Sequence, residues 1–385
     1  MLHLKERPAS IKKLLTEMEE RGASDLYITT GMAPTFRINN NMLAQQTQAL
    51  SATECINFAE LIMSEAQKAT FSLEHEMNLA LSFDDIGRFR VNIFYQRGNI
   101  GMVIRKIKTD VPSLDGLGLP PIFKDIVMAP RGLVLMVGAT GCGKSTSLAA
   151  MIDWRNSEKA GHIISIEDPI EFIHQHKRCM ITQREVGSDT LDYHTALKNT
   201  LRQAPDVILI GEIRDRQTME HALEFAETGH LCMATLHANS ANQALERIIN
   251  FFPIELHAQV KLNLALNMHA ILSQRLVKTH IGKRTPAIET LINTPRIADL
   301  IGKWDIEAIK EAMAAGQNYG MQTFDQALLQ LWLNETISEQ EALRHADSVN
   351  NMQLQIKMIK LKGNNAMNSA STQSTSELDS STLSI

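Results

Sequence analysis

The sequence has few cysteines and no long apolar run, and each absence excludes a class of protein. Its four cysteines lie far apart and none forms a Cys-x-x-Cys pair, so neither a zinc ribbon nor a disulfide framework is predicted. No stretch of about 18 apolar residues occurs, and the first residues are charged, so we expect neither a membrane-spanning helix nor a signal peptide. These features predict a protein of the reducing cytosol.

The chain also lacks a positive net charge. It has 38 Lys and Arg residues against 43 Asp and Glu residues, which gives a formal net charge of −5. This balance gives no electrostatic reason to expect a nucleic-acid-binding protein, although a local basic patch is compatible with it. We therefore expect no nucleic-acid partner.

The chain has 385 residues of ordinary soluble composition, 44% hydrophobic and 21% charged. This length is too great for one ordinary core and predicts two folded domains. A helical pattern over residues 10–21 and strand-like runs at 26–29, 88–94 and 101–105 predict a small α/β domain over residues 1–108. The Gly- and Pro-rich residues 109–121 are typical of a linker.

Beyond the linker, short apolar runs alternate with helical stretches. The runs at residues 132–137, 162–166 and 206–210 predict a parallel sheet buried on both faces, within a core domain over residues 122–285. Apolar residues at helical spacing predict a mainly helical region over residues 286–362. Ten of the last eighteen residues are Ser or Thr, so we expect a disordered tail over residues 363–385.

The strongest motif follows the first apolar run of the core. Gly138-x-x-x-x-Gly143-Lys144-Ser145 matches the P-loop pattern in full. The glycines let successive N–H groups point at a phosphate, while Lys144 supplies charge to the β- and γ-phosphates and Ser145 supplies a hydroxyl for Mg²⁺. The motif therefore predicts ATP and Mg²⁺ as cofactors, bound at a loop that consists of Gly138, Ala139, Thr140, Gly141, Cys142, Gly143, Lys144, Ser145 and Thr146.

Two further runs place acids at strand ends. The run at residues 206–210 leads to Glu212, and ligands of a doubly wound sheet lie at this edge. A carboxylate there can hold the Mg²⁺ shell or a water, or it can cap the helix that follows. Residues 166–171 hold three carboxylates, one of which can act as a general base, although acids beside a proline are also common in surface turns.

Two histidines and a group of arginines are further candidates. His230 and His237 flank an apolar stretch, where an imidazole can sense the γ-phosphate, although a lone histidine is more often structural. An arginine from another subunit can stabilise charge on the γ-phosphate, but the sequence alone favours a solvated sheet face for these residues. The arginines on or beside the predicted N-terminal strands are Arg88, Arg90, Arg97 and Arg105.

Taken in this order, the motifs resemble those of the secretion ATPase superfamily and, within it, the type IV pilus retraction ATPases of the PilT/PilU family. Residues 166–172 resemble the Asp box of the family, residues 211–215 its atypical Walker B motif, and residues 227–237 its His box. The resemblance implies a RecA-like P-loop ATPase domain, a smaller PAS-like N-terminal α/β domain and a helical C-terminal region.

The resemblance also implies residue roles. Glu171 would be the catalytic glutamate that activates water, and Glu212 would support Mg²⁺ from the Walker B position. His230 and His237 would couple the nucleotide state to motion. The chain contains Lys144 together with Glu171 and Glu212. This full set disfavours a module that holds ATP with little turnover.

A ring assembly is implied as well. Arg90 and Arg105, with Arg88 and Arg97 as further candidates, would reach the ATP site of a neighbouring subunit, and a head-to-tail contact that closes gives a ring. Members of this family are homohexamers at the cytoplasmic face of the inner membrane, beneath a platform protein of the PilC type. Their ATP turnover powers pilus retraction and twitching motility.

Two departures refine the resemblance. Assembly ATPases of the superfamily carry a four-cysteine zinc module that this chain lacks, which favours retraction over extension. Residues 296–303 depart from the AIRNLIRE-like segment of PilT-type proteins, and with the Ser/Thr-rich tail this resembles the accessory, PilU-type branch, which implies a PilT-type partner. The alternative is a nucleic-acid-translocating P-loop ATPase, which would need basic groups lining a pore.

Overall fold

A computed structural model describes residues 9–39, 41–107 and 109–361. These residues divide into two compact units. Unit 1 contains the residues up to Ser113 together with Leu148–Ala234, and unit 2 contains Leu114–Ser147 together with the residues from Thr235 onward. The expected domain boundaries stay a prediction, and the expected tail over residues 363–385 lies outside the described residues.

The secondary structure alternates between strands and helices along most of the chain. The strands are β1 (Asp25–Thr29), β2 (Thr35–Ile38), β3 (Asn41–Ala44), β4 (Glu76–Phe83), β5 (Gly87–Gln96), β6 (Asn99–Lys106), β7 (Gly132–Val137), β8 (Gly161–Glu167), β9 (Cys179–Glu185), β10 (Val207–Ile210), β11 (Leu231–Leu236), β12 (Met268–Lys278) and β13 (Arg284–Ile292). The helices are α1 (Ala9–Glu20), α2 (Ala52–Ile62), α3 (Glu65–Glu74), α4 (Ile122–Met128), α5 (Lys144–Glu158), α6 (Tyr193–Thr200), α7 (Arg216–Glu227), α8 (Ala241–Ile249), α9 (His257–Asn267), α10 (Pro295–Lys303), α11 (Ile306–Ala315), α12 (Phe324–Leu333), α13 (Glu339–His345) and a last helix over residues 349–361.

The N-terminal part of unit 1 is a six-stranded antiparallel sheet in the order β3-β2-β1-β6-β5-β4. Side chains alternate along β4, where Met77, Leu79 and Leu81 are buried, as expected when one sheet face lies on a core. Ser51 and Ser64 begin α2 and α3 with capping boxes. The helix and the three strands predicted for this region are confirmed.

The remaining strands of unit 1 are parallel and lie in the order β11-β10-β8-β9. Every residue of β10 and β11 is buried, as in sheets that are covered on both faces. The predicted buried runs at residues 162–166 and 206–210 are therefore confirmed. Because these strands point the same way, the residues that follow β8 and β10 lie at one edge of the sheet.

In unit 2, β12 pairs in parallel with β7 and antiparallel with β13. The region expected to be mainly helical from residue 286 begins with β13, because residues 284–292 pair with β12 along their whole length, and it is helical only from Pro295. Phe324 of α12 and Ile356 of the last helix are buried in one cluster with Val277 of β12. None of the helices in the described ranges has both the length and the apolar character needed to cross a bilayer.

Candidate active site

The nine-residue P-loop from Gly138 to Thr146 runs from the end of β7 into the first turn of α5. Gly138 has a φ of +153°, and a Cβ atom at this position would lie 2.5 Å from Sγ of Cys142 and 2.6 Å from the carbonyl oxygen of Gln274. A side chain is therefore excluded on both conformational and steric grounds. The tight backbone curl that the P-loop pattern predicts is present.

Lys144 is buried and lies against this loop. Its Nζ donates hydrogen bonds to the carbonyl oxygen of Gly138 at 2.8 Å and to that of Ala139 at 3.1 Å. Lys144 is also the first residue of α5, whose N-terminus carries the positive end of the helix dipole. In the next positions Ser145 is exposed and Thr146 is half-buried. The ammonium group and the helix terminus together suit a phosphate group.

The loop is also held by Gln274, a residue of β12 that the sequence motifs did not single out. Its Nε2 donates to the carbonyl oxygen of Cys142 at 2.6 Å, and its Oε1 accepts from Oγ of Ser147 at 2.7 Å. The side chain is buried. The one signal in the sequence is a polar residue that follows an apolar run, and nothing there indicates which partner it binds.

A cavity of about 600 Å³ lies beside the loop within unit 2. Apart from loop residues, its lining includes Arg275, Arg284 and Arg344, none of which the sequence motifs indicated. Arg275 is fixed in place, because its guanidinium pairs with Asp347 at 2.8 Å and lies 3.8 Å from the ring centroid of Phe324. Guanidinium groups bind phosphate and stack on aromatic faces, so this cavity suits a nucleotide.

Unit 1 brings the Asp box and the Walker B residues together. Ile166 of β8 lies opposite Ile210 of β10, so the acids that follow the two strands share one edge. Arg214 donates from Nε to Oε2 of Glu212 at 2.7 Å and lies 3.6 Å from a carboxylate oxygen of Asp168. An arginine thus bridges the two motifs.

Tyr193, at the start of α6, also lies at this edge, and none of the sequence motifs includes it. Its hydroxyl lies 2.8 Å from the position that a Cβ atom of Gly211 would occupy. Burial raises the pKa of this phenol, and the negative charges of Asp168, Glu167 and Glu212 raise it further. A neutral hydroxyl is therefore placed among three carboxylates, where glycine at position 211 leaves room for it.

The two glutamates of the Asp box have opposite environments. Glu167 accepts hydrogen bonds from Oγ of Ser165 at 2.7 Å and from Nε2 of Gln183 at 3.3 Å, and burial raises its pKa to about 7. Glu171 is exposed. An exposed carboxylate can accept a proton from a water molecule, whereas a buried carboxylate that is held by hydrogen bonds is less accessible to water. The geometry therefore separates two acids that the sequence pattern left equivalent.

The N-terminal arginines make contacts within their own chain. Arg90 and Arg105 lie opposite each other on β5 and β6. Nε of Arg105 donates to Oδ1 of the buried Asp25 at 2.7 Å, and this bond raises the pKa of Arg105, with a further contribution from the charge of Glu171. Arg88 lies 3.5 Å from Glu185. These positions favour a charged sheet face near the Asp box of the same chain.

The structure places His230 and His237 at opposite ends of β11. His230 precedes the strand, and its Nδ1 lies 3.1 Å from Oγ1 of Thr228, whereas His237 follows the strand. Six strand residues span about 20 Å. His230 is thus at the edge of the parallel sheet opposite to Glu212, and the expected roles of the two histidines stay a prediction.

The donor chemistry of two predicted residues fits Mg²⁺, which prefers oxygen ligands. Ser145 offers an exposed hydroxyl, and Glu212 offers a carboxylate that Arg214 orients. Within the described parts of the chain, no group of three or more His, Cys, Asp or Glu residues could hold a metal ion. A magnesium ion would therefore need oxygens from the nucleotide and from water, as is common in phosphate-binding sites.

Comparison with known proteins gives a match over most of the chain. The family model of type II/IV secretion system proteins matches residues 5–370. The type IV pilus ATPase PilU of Pseudomonas aeruginosa is 55% identical over 348 residues, which cover 90% of this chain and 91% of that protein. The PilT ATPase of the same organism, named for type IV pilus retraction, is 39% identical over 336 residues, which cover 87% and 98%.

Solved structures confirm the expected fold. The crystal structure of the pilus retraction motor PilT with bound ADP matches with a TM-score of 0.82 and 35% identity, over 91% of this chain and 99% of that one. The ATPase DotB of Legionella pneumophila has a TM-score of 0.77 at 24% identity, over 89% and 98% of the chains. The architecture is thus a RecA-like ATPase domain with a smaller N-terminal α/β region and a helical C-terminal region.

Proposed function

This chain is a P-loop ATPase of the type II/IV secretion system family, and from that premise we propose that it hydrolyses ATP to power the retraction of type IV pili. The observation that carries the proposal is the acid edge of unit 1, where Arg214 bridges Asp168 and Glu212 beside the exposed Glu171. Of the relatives described above, the PilT proteins are named for pilus retraction, and PilU is named as a type IV pilus ATPase. Among them, nothing favours a nucleic-acid-translocating ATPase.

The residues divide the chemistry of hydrolysis between them. The phosphates of ATP bind in the loop from Gly138 to Thr146, where Lys144 balances the charge of the β- and γ-phosphates. Ser145 and Glu212 would hold Mg²⁺, and the ion would supply charge that neutralises the phosphate oxygens.

Glu171 then acts as the general base. It accepts a proton from water as the water oxygen bonds to the γ-phosphorus and the bond to the β-bridging oxygen breaks, so that ADP and phosphate are released.

Steady-state hydrolysis by the purified full-length protein tests these assignments. We expect Glu171→Gln to lower kcat by about 10²- to 10⁴-fold with ATP binding retained, because only proton transfer is lost. Glu220→Gln is the matched control, since Glu220 is an exposed glutamate of α7 whose ion pair, within the described ranges, is with Arg216. Equal turnover of wild type and Glu171→Gln would remove Glu171 as the base. Salt-sensitive stimulation by DNA would instead support the translocase.

We also propose a homohexameric ring in which Arg90 and Arg105 act on the ATP of a neighbouring subunit. Mixing two inactive variants tests this role. In a ring of Arg105→Ala and Lys144→Ala chains, some interfaces combine an intact Lys144 with an intact Arg105, so activity returns if Arg105 acts between chains. No recovery is expected if Arg105 acts on its own chain, where it already pairs with Asp25.

His237 is the proposed residue that couples the nucleotide state to motion. His230 would act only through β11, because the strand separates it from the edge that carries Glu212. We expect His237→Ala to lower retraction more than hydrolysis, and His230→Ala to change hydrolysis little. Equal effects of both substitutions on hydrolysis would contradict this distinction.

The proposed partners are a PilT-type retraction ATPase and a platform protein at the cytoplasmic face of the inner membrane, with this chain as the accessory motor. Fibre withdrawal is measured in cells that contain only this protein, only the PilT-type paralogue, or both. We expect retraction without this protein to be weakened and retraction with this protein alone to be absent. Withdrawal driven by this protein alone would refute the accessory role.

A further inference from the structure

The backbone that carries Glu171 is held by two carboxylates of unit 1. The N–H of Ile170 donates to Oε2 of Glu185 at 3.2 Å, and Glu167 is joined to the carbonyl oxygen of Phe172 through the side chain of Gln183. Burial raises the pKa of both acids. Burying two acids beside a simple surface turn is costly.

Gln183 of β9 extends this arrangement. Its Nε2 donates to Oε1 of Glu167 at 3.3 Å and to the carbonyl oxygen of Phe172 at 2.9 Å, while its Oε1 accepts the N–H of His174 at 2.8 Å. One side chain thus ties the acid to the segment that follows Glu171. Three backbone groups between residues 170 and 174 are fixed in this way by the side chains of Glu185 and Gln183.

Glu185 also connects the segment to the N-terminal sheet. Its Oε2 lies 3.5 Å from Nη2 of Arg88 on β5, and the side chains of Arg88 and Glu185 are only 12% and 6% exposed. The charge of Arg90 also favours the ionised form of Glu185, whereas Asp189 opposes it. A shift of β5 would therefore displace the Glu185 side chain and, through its hydrogen bond, the backbone of Ile170.

The carboxylate of Glu171 depends on this backbone. It is exposed, and in the part of the chain that the structure describes no hydrogen bond from its side chain is found. Its location is therefore set mainly by the main chain of residues 170–174. A displacement of a reacting group by about 1 Å can reduce a rate about 100-fold.

We propose that Glu167, Gln183 and Glu185 form an acid-box clamp that positions Glu171 for the attack of water on ATP, and that Arg88 couples this clamp to the N-terminal sheet. The inference rests on the proposed role of Glu171 as the base. The three clamp residues are positioning residues, because they act through the backbone and do not touch the nucleotide.

Glu185→Gln and Gln183→Leu, each in the full-length protein, test the clamp. We expect kcat for ATP to fall about tenfold or more in both, because the base is less well placed. The Kd for ATP should stay within about twofold, since phosphate binding is assigned to the P-loop. Loss of one contact of ordinary strength there would instead raise the Kd about tenfold. Amide hydrogen exchange of the peptide with residues 170–171 should become faster without nucleotide. Glu220→Gln should change none of the three.

Two results would overturn the clamp. One is unchanged kcat with unchanged exchange in both variants, and the other is a fall in kcat that is matched by an equal loss of ATP affinity. If Glu185→Gln lowers the melting temperature strongly, Gln183→Leu decides, because Gln183 is only half-buried. Arg88→Ala should accelerate the same amides, and unchanged exchange would refute the coupling to the sheet.

Failure of the clamp and failure of the proposed function give different results. A wild-type protein that hydrolyses no ATP with Mg²⁺ would refute the proposed function. Exchange in the nucleotide-free variants would still report whether the clamp holds the backbone, because that measurement needs no turnover.

Discussion

Replacing Gln274 by leucine should weaken ATP binding without touching any P-loop residue. Gln274 is 3% exposed and bonds the carbonyl oxygen of Cys142 at 2.6 Å and Oγ of Ser147 at 2.7 Å. Leucine has a similar size and satisfies neither group. Glycine is the only residue that the backbone tolerates at position 138, and glycine has little conformational preference of its own. The curl of the loop therefore depends on contacts such as the hydrogen bonds of Gln274.

The expected magnitude follows from the two lost bonds. A buried polar group left without a partner costs about 1–3 kcal/mol, so the folded loop loses about 2–6 kcal/mol. Part of this cost will appear as lower stability, and part as loss of the shape that receives phosphate. If about 1.4–2.8 kcal/mol falls on binding, the Kd for ATP rises about 10- to 100-fold.

Isothermal titration with ATP and thermal unfolding separate the two parts. Gln322→Leu is a suitable control, because Nε2 of Gln322 bonds the carbonyl oxygen of Ile288 at 2.9 Å, in the same unit but not at the loop. We expect the control to lose stability and keep its affinity. An ATP Kd for Gln274→Leu within about twofold of wild type, or an equal loss of affinity in the control, would refute the reasoning.

Three further predictions concern other residues of the site. Gly138→Ala should abolish ATP binding in titration because its Cβ would lie 2.5 Å from Sγ of Cys142, whereas Gly302→Ala, with no atom within 4 Å of its Cβ, should bind normally. Because burial raises the pKa of Glu167 from 4.5 to about 7, the stability that its neutral form contributes is complete below pH 4.5 and is lost as the pH rises through 7. Over the same range the ionised carboxylate should hold Gln183, and through it the segment after Glu171, more firmly, so kcat should rise with pH, and a Glu167→Gln profile of the same shape would contradict this. The Cys142 thiol is buried with a raised pKa, so alkylation should be slow compared with a free thiol and slower still with ATP, as mass spectrometry can measure.

The P-loop was predictable because its chemistry depends on neighbouring residues. Glycines at fixed spacing and a lysine at the start of a helix are local requirements of phosphate binding, and the structure places them as the pattern predicts. The buried strands were predictable for a similar reason, since a strand covered on both faces must be continuously apolar. The strand β13 was missed, because its mixed residues 284–292 gain their strand character from pairing with β12.

Contacts between residues that are far apart in the sequence could not be predicted from local patterns. Gln274 is separated from Cys142 by 132 positions, and no periodicity or spacing connects the two. The two histidines are near in the sequence but separated in the structure. His230 and His237 are only seven positions apart and looked like a pair, but an intervening strand puts them at opposite edges of a sheet.

The sequence by itself determined the P-loop, the alternation of buried strands and helices, and the family whose motifs it carries. It did so because those features are written in contiguous residues whose backbone geometry is locally constrained. The tertiary structure alone decided which of two nearby glutamates is exposed and which is buried, and that Glu185 and Gln183 reach the same turn. Burial and hydrogen bonding between distant segments depend on the register of parallel strands, which no single stretch of sequence specifies.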